Sequence, residues 1–375
     1  MQKDKLVPDI RFKGFEEEWK TNRLCEVALK FDNLRIPVSE SLRIKGPYPY
    51  YGANGVQDYV SGFTHNGEFV LIAEDGANDL DSYPSNYVNG KFWANNHVHV
   101  LQGFKDTLDN KFLNYSFTNV NFKPLLTGGD RAKLTASALD TINIKVPIFN
   151  EQRKIGSLLN NIDQSLLSQK SKLEKLQIIK QSLLSKMFAS DNQKMPDIRF
   201  KDFLDAWNHK LVKSLGYITT GNSNTQDSDV NGAYPFFIRS DKPLKSNKYL
   251  YDEEAVITIG DGNIGKVFHY INGKFDLHQR CYKISNFTDV LGKYFYWYFS
   301  SNFYDRVIRM SAKATVDSVR LEMIADMEIY FPSNKNEQSK ISIFLDSLDS
   351  LIHSQEQKLE KLNNIKQALL EKMFC

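Results

Sequence analysis

The chain has 375 residues, 41% of them hydrophobic, 25% charged and 13% aromatic, which fits a folded globular protein with room for about two domains. Forty-eight Lys and Arg stand against 45 Asp and Glu; the net charge of +3 excludes a general polycation but leaves room for a locally basic face. No apolar run of about 18 residues occurs, and MQKDKLVPDIRF lacks a signal-peptide core, so a cytoplasmic protein without a membrane span is expected.

The first feature along the chain is PDIRFKGFEEEW from Pro8, which returns as PDIRFKDFLDAW from Pro196 with eight of twelve positions identical. Repeats of this kind set the architecture, so they are read before anything else. Each copy reads as a Pro-led turn into a short strand. About 130 residues follow each copy, with Tyr-Pro-aromatic stretches (Tyr48, Tyr234), β-rich runs ending in Gly loops (FVLIAEDGAN from Phe69, AVITIGDGNIG from Ala255) and NGKF (Asn89, Asn272). Alternating β-branched and aromatic residues broken by Gly, Asn and Asp predict strands and turns. Helical patterns near FLNYSFTN and YFYWYFSSNFYDRVI make each region mixed α+β.

A second duplication closes each half: Asn150 to Phe188 matches Asn336 to Phe374 at 22 of 39 positions without a gap. Neither copy contains Pro, and Gly156 is the one glycine in them, so both predict long helices. Ile155, Leu159, Ile162, Leu166, Leu173, Leu176, Leu183 and Met187 step by threes and fours, interrupted at Gln169 and Lys180. Ile341, Leu345, Leu348, Ile352, Leu359, Leu362, Leu369 and Met373 repeat the pattern, interrupted at Gln355 and Lys366. A sustained 3.5-residue spacing predicts a coiled-coil seam, and matched polar positions within it fix register. Leu158, Leu167, Ile178 and Leu184 widen the apolar stripe and leave surface for a third helix or a partner.

The expected fold class is α+β: two pseudo-twofold-related mixed α/β domains separated by two long helices that form an antiparallel coiled coil. The expected boundaries are 1–149, 150–188, 189–335 and 336–375. One scaffold with divergent loops implies two different readers, because binding function concentrates on loops. Candidate DNA-reading residues in the first domain are Tyr51, Asn54, Asp75, Asn78, Asn95, Asn96, His97, Arg131 and Lys133. In the second they are Arg239, Asp261, Asn263, Lys266, His278, Gln279, Arg280, Arg309 and Lys313. Arg and Lys can pair with guanine edges or phosphates, Asn and Gln with adenine.

Other chemistries are disfavoured. GDGNIG at Gly260 matches GxGxxG, but its continuation KVFHYINGKF alternates like a strand, whereas a dinucleotide site needs a helix there. His97 and His99 could share a strand face, yet no further ligands are spaced to complete a zinc site. GGDRAK at Gly128 lacks P-loop spacing, and Cys25, Cys281 and Cys375 form no CxxC and read as reduced thiols. No catalytic constellation stands out.

In this order and twice over, PDIRF…W, a mixed domain and an NEQ helix ending LLxKMF resemble the specificity subunit of a type I restriction–modification system. YGANGVQDYV, EDGAN and NGKFWANNHVHVL look like one recurrent class of its target-recognition domain, and GDGNIGKVF like the family's strand–loop hallmark. The resemblance implies a bipartite, asymmetric double-stranded DNA target and helices that set the spacer and dock two methyltransferase subunits. It also implies a restriction/translocase subunit, with S-adenosylmethionine, ATP and Mg on those partners and no metal, cofactor or active site in this chain. The sequence departs from the pattern in two places. The chain closes on Met373-Phe374-Cys375 with little tail, and EDGANDL stands in one domain where GDGNIG stands in the other. A coiled-coil scaffold joining two domains that bind non-DNA ligands is the alternative.

Overall fold

A computed structural model describes residues 6–129, 132–189, 193–311 and 318–375. The chain divides into two units, Met1–Ser171 with Gln357–Cys375, and Lys172–Glu356. In the first unit a six-stranded sheet is built from β1 (Ala28–Lys30), β2 (Lys45–Gly52), β3 (Gly55–Val60), β4 (His65–Ala73), β5 (Ser85–Ala94) and β6 (Val98–Gly103), in the order β1-β6-β4-β5-β2-β3. In the second, β7 (Tyr217–Thr220), β8 (Tyr234–Phe237), β9 (Leu244–Ser246), β10 (Tyr251–Ile259), β11 (Phe268–Leu277) and β12 (Cys281–Ser285) take the order β7-β12-β10-β11-β8-β9. The two orders are the same position by position. Both sheets are antiparallel except for one parallel pair, Tyr50 opposite Trp93 in the first and Phe236 opposite Asp276 in the second.

The central strands β4 and β10 read as continuous apolar runs because both of their faces are covered. Val70 and Ile72 enter a core with Phe112 and Leu113, while Phe69 and Leu71 enter a separate one with Phe92 and Val100. Val256 and Ile257 divide in the same way in the second unit. Alternation of the strand pleat sorts neighbours to opposite faces. The helix against the sheet differs in size: α1 (Asn110–Ser116) in the first unit, and the aromatic-rich α3 (Gly292–Ser311) in the second.

The duplicated NEQ segments form two 38-residue helices, α2 (Phe149–Lys186) and α4 (Lys335–Lys372). In the first unit Lys366 pairs with Asp163 at 2.6 Å, and Ile155 and Leu159 share a core with Leu370 and Met373. In the second, Lys180 pairs with Asp349, while Met187 and Phe188 share a core with Ile341 and Leu345. In each unit the helix segments therefore run antiparallel, as the fold class read from the sequence has them. Every seam position named from the spacing is buried or half-buried, and so are the polar interruptions Gln169, Lys180, Gln355 and Lys366. The lysine of one helix thus meets an aspartate of the other, and an ion pair at a seam position favours one register over its neighbours. Gly156 has a close-approach role: a Cβ there would lie 2.7 Å from the Phe112 backbone nitrogen at the start of α1.

The PDIRF copies form bends rather than short strands. Their backbone is engaged by helices instead of a sheet. Ile10 N–H donates to the last helical carbonyl of α4, Lys372, at 2.9 Å, and Ile198 N–H donates to that of α2, Lys186, at 2.9 Å. The next residue then grips the start of the antiparallel helix. Arg11 donates to both oxygens of Glu151 at 2.7 and 2.8 Å, and Arg199 to both of Glu337 at 2.6 and 2.8 Å, the two carboxylates being 0% exposed. The following glutamines complete the joint. Gln152 donates to Thr107 and Pro147 carbonyls and accepts from Asp109 N–H; Gln338 donates to Asp289 and Pro332 carbonyls and accepts from Leu291 N–H. Trp19 meets Phe112 and Phe374 edge-on, so the Phe of LLxKMF plugs into the same core.

Removing one partner of such a pair strands a buried charge. Glu151→Ala or Arg11→Ala is expected to cost about 3–5 kcal/mol in urea unfolding of the full chain, whereas Arg11→Met with Glu151→Leu restores most of it. Equal stability of the single and double variants would show that the pair does not hold the joint.

Candidate nucleic-acid interface

In both units the candidate residues gather where β4 or β10 ends and β6 or β12 begins, on one shared main-chain frame. Glu74 N–H donates to the His97 carbonyl and Gly260 N–H to that of Arg280. The Glu74 carbonyl in turn accepts from Leu134 N–H, and that of Gly260 from Val319 N–H. Asp75 bridges the Lys133 backbone where Asp261 bridges Ser318. The glycine after each aspartate turns the chain with φ of +69° (Gly76) or +82° (Gly262), in the left-handed region that glycine enters without a Cβ penalty.

Asp75 and Asp261 therefore occupy one place, and so do His97 and Arg280. In the first unit, Nδ1 of His97 lies 2.5 Å from Asp75 Oδ1. In the second, Arg280 donates to Asp261 at 2.7 Å and Arg239 donates to both of its oxygens at 3.1 and 3.2 Å. Burial pushes the Asp261 carboxyl up, but the two guanidiniums outweigh it and hold it below the ordinary range.

Two candidates are turned inward. Asn95 accepts from His97 N–H at 2.8 Å, and His278 accepts from Arg280 N–H at 3.0 Å; both side chains are buried and shape the turn. Their own N–H groups donate to the carbonyls of Tyr51 and Phe237, so Tyr51 sits within the frame, half-buried, its hydroxyl pushed up by desolvation. Asn54 ties down the first loop by donating to the Gly76 carbonyl and accepting from Asn78 N–H. Asn78, Asn96, His97 and Lys133 present exposed side chains, as do Arg239, Asn263, Gln279 and Arg280; Gln279 donates to Asn224 at 2.6 Å. Lys266 and Arg309 belong to a different neighbourhood. Lys266 lies 4.9 Å from the Tyr304 ring on α3, and Arg309 lines an open groove with Asn302, Asp326 and Glu328. Arg131 and Lys313 fall outside the described residues.

Sequence reasoning missed what supports the first loop cluster. Arg35 donates to Glu74 at 2.5 Å and to the Val98 carbonyl at 2.7 Å, while Lys133 pairs with Glu74 at 2.8 Å. His99 places Nδ1 2.6 Å from Asp32 and Nε2 2.8 Å from the Leu134 carbonyl. Asp32, Glu74 and His99 bring ligand atoms within 4.8 Å of one another, but Arg35 and Lys133 already neutralise those carboxylates, so the chemistry suits an ion-pair network better than a metal. His97 precedes β6 rather than lying on it, and so shares no strand face with His99. After GDGNIG comes strand β11 and not the helix that a dinucleotide requires. Burial pushes the Cys281 thiol up to about 12, which makes it unreactive. No helix among the described residues is long and apolar enough to cross a membrane.

Burial raises the Asp32 and Glu74 carboxyls, yet His99, Lys133 and Arg35 outweigh it and leave both depressed. A depressed carboxyl stabilises the fold above its unfolded pKa, and that contribution disappears as pH falls through the folded value. Glu74→Gln is expected to cost about 1–3 kcal/mol at pH 7, with the deficit shrinking as pH falls from about 5 toward 3. Denaturant midpoints at the two ends of this range test it; a deficit independent of pH contradicts the account.

The model of the type I restriction modification DNA specificity domain matches residues 16–177 and again 205–364, which together make up most of the chain. A putative type I restriction enzyme specificity subunit of Haemophilus influenzae is 49% identical over 160 residues, 43% of this chain and 41% of that protein. Three curated relatives, this one among them, are matched over 35–41% of their own length. The crystal structure of a type I restriction-modification S subunit from M. genitalium superposes with a TM-score of 0.78 at 15% identity, covering 98% of this chain and 99% of that one. A chain from a structure of type I restriction-modification complex assembly and conformational transition gives 0.50 at 14% identity, over 97% and 99%. These two structures share the fold.

Proposed function

This chain belongs to the type I restriction modification DNA specificity family, and from that premise we propose that it reads a bipartite, asymmetric DNA sequence, each unit contacting one half. The observation that carries the reading is the duplicated strand-end frame with unlike side chains. The corresponding aspartates hold an imidazole in one unit (Asp75) and two guanidiniums in the other (Asp261). A common frame with different planar donors suits two half-sites of different sequence.

The family is non-catalytic, so the chemistry is assigned to partners. Methyltransferase subunits would carry S-adenosylmethionine, and a restriction/translocase subunit would use ATP and Mg. Docking has a surface to use: Leu167, Ile178 and Ile179 on α2, and Ile343, Phe344, Leu351 and Ile365 on α4, are large, apolar and exposed. The long helices α2 and α4 would set the length of the spacer between the half-sites.

Mapping methylated adenines in DNA from cells carrying this chain with its partner subunits tests the reading. A bipartite motif is expected, and exchanging residues 209–331 for those of another family member should change one half only. Insertion of seven residues at equivalent places in α2 and α4 should lengthen the spacer and leave both halves intact. A change in both halves after the exchange would overturn the division of labour. Binding to a matched duplex should fall steeply with salt; affinity indifferent to salt would favour a scaffold for other ligands.

A further inference from the structure

Building on that DNA-reading role, we infer that the second unit selects a guanine through Arg239 and Arg280, oriented as a pair by Asp261. Both arginines give only Nη1 to the carboxylate among the described residues, so Nε and Nη2 of each fork remain as donors. The arginine side chains are 45% and 59% exposed and the aspartate 19%, which puts the guanidiniums outermost over a carboxylate set into the frame. Two positive charges over one negative leave the cluster net positive.

A guanidinium fork presents parallel donors, and guanine offers the matching acceptors O6 and N7 on its major-groove edge. Adenine places its N6 donor where O6 would be and so opposes one donor with another. The aspartate argues for a base over a phosphate. A carboxylate beside a backbone phosphate repels it, whereas one behind a base-reading arginine fixes the plane of the fork in advance and lowers the ordering cost of binding.

Among the described residues the first unit shows no such pair. His97 stands where Arg280 does, and Ala53, two residues beyond Tyr51, stands where Arg239 follows Phe237. The inference accordingly concerns the half-site read by the second unit.

The test uses the full chain assembled with its methyltransferase partners and its mapped motif, the second half-site being assigned by the 209–331 exchange. Duplexes carry 7-deazaguanine, or A·T for G·C, at each guanine of that half in turn. One guanine is expected at which either replacement weakens binding by roughly 10- to 100-fold. Arg280→Ala and Arg280→Lys should bind the intact and replaced duplexes alike. Asp261→Asn should retain salt-dependent affinity while losing roughly tenfold or more of the preference. Both arginines are on the surface, and unchanged thermal melting confirms that the variants fold. A second half-site without guanine overturns the inference while leaving the DNA reading intact. So do arginine variants that lose affinity equally on all sequences, the signature of a phosphate contact. Absence of any sequence preference in the wild-type complex overturns the DNA reading and the inference with it.

Discussion

The buried bidentate pair between the PDIRF arginine and the NEQ glutamate is the contact on which each unit depends. Glu151 and Glu337 lie in the first turn of their helices, where the aligned peptide dipoles favour a negative charge, and each is closed off by one guanidinium. Hydrogen bonds from Ile10 and Ile198 to the last carbonyl of the antiparallel helix come from the adjacent residue. Two consecutive residues thus hold the end of one helix and the beginning of the other, which fixes the axial register of the helix segments within each unit. Lys180–Asp349 and Asp163–Lys366 enforce the same register from within. Buried ion pairs contribute little net stability over apolar packing, so the arrangement is better understood as specifying one alignment than as strengthening it.

The parts of this fold that were legible in sequence are those whose signal is local. The 3.5-residue spacing marked the seam and the apolar runs marked β4 and β10, because periodicity within a dozen residues reports which face is covered. The PDIRF joint was not legible, since Arg11 meets its glutamate 140 residues later; duplication showed that the motif mattered without showing how. Within the site, Asp75 and Asp261 stood out by their place on glycine loops, and His97 and Arg280 as polar, planar residues in the stretches that follow NGKF. Asn95 and His278 looked equivalent to them, since residue type alone does not separate a side chain that caps a turn from one that faces solvent. Arg35 and Asp32, at the two ends of a single 3-10 turn far from Glu74 in sequence, carried no local signal at all.

The two loop clusters also differ in what lies beneath them. Under the first, Glu74 gathers Arg35 and Lys133 into a network that extends to His99 and Asp32. At the matching position the second unit has Gly260, and the charge pairing moves outward to Asp261 with its two arginines. One unit keeps its ion pairs as foundation, the other as part of the exposed surface.

The two joints, alike in geometry, are unlike in connectivity. Ile198 follows Lys186 closely along the chain, so that joint closes a short loop, whereas Ile10 and Lys372 come from opposite ends of the polypeptide. Closure entropy rises with loop length, although slowly. Joining Ile10 to Lys372 therefore carries the larger closure cost, and the first joint rests more heavily on the contacts made within it.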